Sequence, residues 1–204
     1  MNVRSLAARA AAISTFALVA ACGELALPDL PSFSLGGSAP QSLALLDGSV
    51  MVIGPDGFCV DPRSSDARTG FAAIAACASF DRSSEIPNDL AFITLQVGQS
   101  GSALASDLTD LRSVLEDSDA LGGISDAAFS TDTDLNAVIV TYRSAPPSDG
   151  AQARAFFDLS DRSATLTVTQ LEQAPLSLSD ARALLVEALQ RLRSANATLS
   201  SDAA

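Results

Sequence analysis

NAVIVTYRS (136–144), QARAFFDLS (152–160) and SATLTVTQL (163–171) follow one another with only APPSDG (145–150) and the Asp161-Arg162 turn between them. β-Branched and aromatic residues bounded by Pro, Gly, Asp and Ser make each segment a strand. Connections this short force neighbours to run in opposite directions, so the three form an antiparallel meander.

Upstream, DLAFITLQVG (89–98) is a further strand, alternating before a glycine-rich turn. SVMVIG (49–54) and FCVD (58–61) flank Pro55-Asp56-Gly57, where proline presets φ and glycine accepts positive φ, and they are expected to pair as a hairpin. FAAIAACASF (71–80) suits either a helix or a buried strand, and its shortness and flanking Gly70 favour the strand. ALASDLTDLRSVLED (103–117) puts Leu104, Leu108, Leu111 and Leu115 on one stripe of a helix that stops near Gly122. Its acids Asp107, Asp110, Glu116 and Asp117 lie mainly off that stripe, as a solvated face. A last helix runs through DARALLVEALQRLRSAN (180–196), with Ser179 as N-cap and Leu178, Ala181, Leu185, Ala188, Leu189 and Leu192 inward. Helices inserted in the middle and at the end of a strand series indicate an α+β domain, a mainly antiparallel sheet packed against two amphipathic helices. That element order is similar to the domain shared by PsbP and Mog1.

The N-terminus carries an address. Arg4 and Arg9 precede AAAISTFALVAA (10–21), an apolar core long enough for a secretory leader and too short for a bilayer span, which needs about 20 residues. Val19-Ala20-Ala21-Cys22 resembles the lipobox of bacterial lipoproteins at every position. The resemblance implies diacylation of Cys22, cleavage before it (1–21 as leader), and stable anchoring by several chains. Gly23 stands where an inner-membrane retention signal would carry aspartate, which favours the outer membrane, periplasmic face. Residues 22–44, rich in Pro, Gly and Ser, read as a tether, 45–196 as one domain, and 197–204 as a disordered tail. GFCVD (57–61) and its surroundings resemble uncharacterised envelope lipoproteins of high-GC bacteria, a likeness that implies no activity.

Composition excludes much chemistry. The chain has no histidine, and all 12 of its basic residues are arginine. Ser-His-Asp triads, histidine-ligated zinc, Walker A loops and Schiff-base catalysis are therefore out. The net charge is −12, and −14 once a leader holding two arginines and no acid is removed. Such a surface repels nucleic acid and anionic lipid headgroups. No cofactor motif is present. Cys59 and Cys77, the cysteines besides Cys22, lack redox CxxC spacing and in an oxidising periplasm form a structural disulfide. Closing a loop of about 20 residues contributes roughly 3 kcal/mol in the chain-entropy model.

Three weaker constellations remain. Gly98-Gln99-Ser100-Gly101-Ser102 sits between strand and helix like a nucleophile elbow but lacks the final glycine and any base, which leaves a tight turn with Ser100 or Ser102 as N-cap. Asp132, Asp134 and Asn136 resemble the opening of an EF-hand calcium loop, whose glycine and bidentate glutamate are replaced by Ala137 and Arg143. LSDARALLV (178–186) is similar to the LSxxRAxxV helix of OmpA-like peptidoglycan-binding domains, which would make Arg182 a ligand to peptidoglycan; the family's upstream TD-x-x-G segment is absent. The leading expectation is a lipid-anchored envelope protein that binds another protein without catalysis. A peptidoglycan-binding module and a carboxylate-dependent hydrolase are the alternatives, the latter requiring two acids to converge in a cleft.

Overall fold

The alternating segments form strands because one face of each can be buried while the backbone satisfies itself in a ladder. In a computed structural model, which describes residues 40–104, 107–117, 124–144 and 150–202, nine strands and two α-helices follow in order. They are β1 (Ser42–Leu45), β2 (Val50–Ile53), β3 (Phe58–Asp66), β4 (Phe71–Ala76), β5 (Ala91–Val97), α1 (Leu108–Asp117), β6 (Ile124–Asp132), β7 (Ala137–Ser144), β8 (Ala151–Leu159), β9 (Arg162–Gln170) and α2 (Leu178–Asp202). The main sheet has the order β3-β4-β5-β9-β8-β7-β6, and every pairing is antiparallel. With its two helices this is the expected α+β architecture. The meander is present as read: β7, β8 and β9 pair in sequence.

Inward side chains alternate along each strand of the core face. Ala153, Ala155, Phe157 and Leu159 of β8 meet Ala164, Leu166 and Val168 of β9 and Ile93 and Leu95 of β5. α2 lies against β8, β9, β7 and β2 and adds Ala181, Leu184, Leu185, Ala188, Leu189 and Leu192 to that core. On the other face a smaller cluster joins Val140 and Tyr142 with the half-buried Phe129 and Phe156. The Tyr142 hydroxyl donates to Gln152 Oε1 at 2.8 Å, and burial pushes its pKa up.

Several expectations need correction. SVMVIG and FCVD do not pair: β2 pairs instead with β1, a strand that begins inside the stretch read as tether, and the domain begins at least as early as Ser42. The Pro55-Asp56-Gly57 turn does form, with the Phe58 N–H donating to Pro55 O at 3.0 Å, but it redirects the chain between two sheets. β6 is a strand that the sequence pattern does not announce. It is an edge strand of mostly exposed residues, ordered by β7's ladder and interrupted by a register shift between Ser125 and Ala128, where Asp126 takes φ 54°. α1 begins at Leu108, not Ala103, because the Leu104 N–H is drawn to Asp158 Oδ1 at 2.7 Å. Its cap is Asp107, which accepts the Thr109 N–H at 2.8 Å, not Ser100 or Ser102.

α2 is longer than the sequence reading allows. Its N-cap is Ser177, whose hydroxyl accepts the Asp180 N–H at 3.0 Å, not Ser179. Leu184 is buried where Leu178 is expected, and Leu178 is only half-buried. The helix runs through the stretch expected as a disordered tail to Asp202. Asn196, 5% exposed, explains part of this extension: its amide accepts the Met51 N–H at 2.9 Å and donates to Met51 O at 2.8 Å, as a neighbouring strand would. The leader, Cys22 and residues 22–39 of the tether lie outside the described residues, as do 118–123, where the end of the first helix is expected.

Candidate functional site

Three local decisions converge on one cleft. Gly57 adopts φ 80°, and a Cβ there would sit 3.3 Å from Pro87, so glycine lets the turn close onto the β4–β5 connection. Cys59 and Cys77 are joined by a disulfide, Cα atoms 4.9 Å apart, and the Cys77 N–H donates to Gly57 O at 2.8 Å. The bridge thus ties the start of β3 to the start of the connection 77–90. Across from both, α2 presents Leu184, Glu187 and Arg191.

The cleft between these walls has a volume of about 330 Å³ and is continuous in lining with a second hollow of about 450 Å³, the two sharing Asp56, Gly57, Phe58 and Glu85. Its apolar part consists of Phe58, Ile86, Pro87 and Leu184. Ile86 is 64% exposed, unusual for an isoleucine in a loop of polar residues.

The polar part is acidic. Arg191 forms ion pairs with Asp56, Nη2 to Oδ1 2.6 Å, and with Glu187, Nε to Oε1 3.4 Å, and Glu187 also accepts the Asp56 N–H at 3.0 Å. These exposed contacts add little stability, but they position the turn against the helix. Glu85 and Asp89 stand on the opposite wall with no hydrogen bond or ion pair among the described residues. Four carboxylates therefore border the cleft against one guanidinium.

The other residues singled out from sequence lie elsewhere. Asp132 Oδ1 accepts the Leu135 N–H at 2.9 Å, closing the β6–β7 turn, and among the described residues no three metal-ligating acids or cysteines converge, at this loop or elsewhere. Arg182 is exposed on the outer side of α2. Ser100 donates to the Asp161 carboxylate, and Ser102 Oγ lies 3.1 Å from Ser163 Oγ and accepts the Ser163 N–H at 3.0 Å. These bonds stitch the loop to the β8–β9 turn. The Ser100 hydroxyl, then the Gly101 N–H, holds the Asp161 carboxyl below the usual range. Asp61, Asp66, Asp81 and Asp107 are lowered likewise by hydrogen bonds within their own turns.

Of the cleft residues, the sequence reading marks Cys77 as half of a disulfide and Pro55-Asp56-Gly57 as a turn, neither of them as a site. The signals that could have found the others are the lone isoleucine in DRSSEIPNDL (81–90) and the Glu187/Arg191 pair one helical turn apart.

Among the described residues the fold is an α+β domain with one large antiparallel sheet. No family model matches the chain, and no curated protein does. Among solved structures it is similar to a point mutant of the protein Mog1 (15% identity, 75% of this chain and 92% of that one, TM-score 0.47). It is likewise similar to the Ran-binding protein Mog1p of Saccharomyces cerevisiae (14%, 78% and 94%, TM-score 0.48). A third similar structure is the cyanobacterial PsbP of Synechocystis sp. PCC 6803 (11%, 87% and 96%, TM-score 0.38). These are the two kinds of protein whose element order the sequence resembles, and the likeness is one of fold.

Proposed function

We propose that the protein is a lipid-anchored envelope protein, held at the periplasmic face of the outer membrane through Cys22, whose α+β domain binds another protein and catalyses no reaction. The anchoring half is supported by Val19-Ala20-Ala21-Cys22 behind an arginine-led apolar core. The binding half is carried by one observation, the open cleft with Ile86 exposed at its edge. Asp56 and Glu187 are both engaged in ion pairs with Arg191, which hold the turn against the helix at the cleft's edge.

The test of the anchor is the intact mass of the protein extracted from bacterial membranes, before and after reduction with thiol alkylation. The expected mass starts at Cys22 with acyl chains added, and two alkylated thiols appear only after reduction. A mass that retains the leader without lipid overturns the anchoring.

A further inference from the structure

The chemistry of the cleft restricts what can enter it. At about 330 Å³ it lies at the lower edge of the roughly 300–1,000 Å³ range of ligand pockets, sized for one or two side chains. An apolar floor of Phe58, Pro87 and Leu184 asks for an aliphatic group, and Ile86 leaves apolar surface to be covered. Glu85 and Asp89 ask for cations, since bringing an uncharged or acidic segment over them would desolvate two carboxylates without compensation. On the facing wall the chain's own Arg191 already lies between two carboxylates.

We infer that the occupant is a short segment of a partner protein in which arginine or lysine side chains flank an aliphatic one. The aliphatic group enters between Pro87 and Leu184, and the flanking cations pair with Glu85 and Asp89 as Arg191 pairs with Asp56 and Glu187. This rests on reading the cleft as a protein-binding site. The disulfide bears on it directly, since Cys59 and Cys77 hold the wall carrying Glu85 to Asp89 against the turn carrying Asp56.

The probe is a fluorescein-labelled peptide, Gly-Arg-Leu-Arg-Gly, titrated by anisotropy against the full-length protein in non-ionic detergent, with Gly-Glu-Leu-Glu-Gly as its counterpart. Saturable binding of the arginine peptide is expected, weakening as salt rises, with none for the glutamate peptide. The double variant E85Q/D89N should weaken it about tenfold, and Arg191→Gln, which frees two carboxylates, should tighten it. D126N/D134N removes the same charge from the remote β6–β7 end and should change affinity by less than about twofold. Equal losses in the two double variants would mean that only the diffuse negative field attracts the peptide, and would overturn the proposal, as would equal binding of both peptides or no binding at all. A photo-crosslinking residue at position 86 in intact membranes separates this failure from that of the underlying reading. A protein adduct at 86 without arginine-peptide binding keeps the cleft as a protein site and removes the cationic partner. Neither adduct nor peptide binding removes both.

Discussion

The two helices are held in different ways. α2 buries Ala181, Leu184, Leu185, Ala188, Leu189 and Leu192 in the main core, and Asn196 grips the backbone of β2. α1 lies along β6 and β7, and its Leu108, Leu111 and Leu115 are only half-buried while Val114 is 65% exposed. Their caps differ as well: α2 is capped by a neutral hydroxyl, α1 by a carboxylate. An amphipathic stripe therefore does not measure how firmly a helix is held; the surface available to cover it does.

Breaking this contrast should cost most in α2. Leu185→Ala removes a fully buried side chain and is expected to lose about 3 kcal/mol of unfolding free energy in urea titration. Asn196→Ala leaves the Met51 N–H and carbonyl without partners and should lose about 2 kcal/mol; a cost near zero would show that water replaces the amide. In α1, Leu111→Ala should cost about 1 kcal/mol or less, because the leucine is not fully removed from water at the outset. Hydrogen exchange sharpens the same comparison: amides of α1 should open well below the global unfolding free energy, while those of α2 from Leu184 to Leu192 exchange only with it. The smallest effect is one of pH. The Thr109 N–H, then the Thr109 hydroxyl, hold the Asp107 carboxyl below its ordinary value. A depressed pKa contributes stability that is present above the unfolded value, near about 4, and is lost as pH falls through the folded one. The helical Cα shifts of α1 should weaken below about pH 4 while those of α2 persist, and Asp107→Asn should flatten that response.

Some of this is readable in the chain. β7, β8, β9 and β5 are legible because their apolar residues recur with the strand period or crowd into short bounded runs, and the α+β class follows from where the helices fall among them. β6 and β1 are not: ISDAAFSTD lacks a strand-period apolar pattern, SLAL is only four residues long at the end of a Pro-, Gly- and Ser-rich stretch, and each pairs along a neighbour's ladder. The turn at Pro55-Asp56-Gly57 is legible but its consequence is not, since turn chemistry reverses the chain without deciding which strand β2 will meet. The same holds for Ser179, one of two serines, a residue apart, that could cap α2. The cleft is almost invisible, because Asp56, Glu85, Asp89 and Glu187 are ordinary surface acids until three distant segments come together.

The sequence by itself determined the absence of histidine and lysine chemistry, the acidic charge, the meander and the two apolar helical stripes, and it alone carries the resemblance to a lipobox at Cys22. These depend on residue type and spacing along the chain. Only the tertiary structure decided that β2 joins β1, that Asn196 carries α2 past its expected end, and that Ile86 sits exposed above an acidic cleft. Those depend on which distant segments share the same space, and such long-range pairings are selected by burial and backbone satisfaction over the whole molecule, which no local pattern encodes.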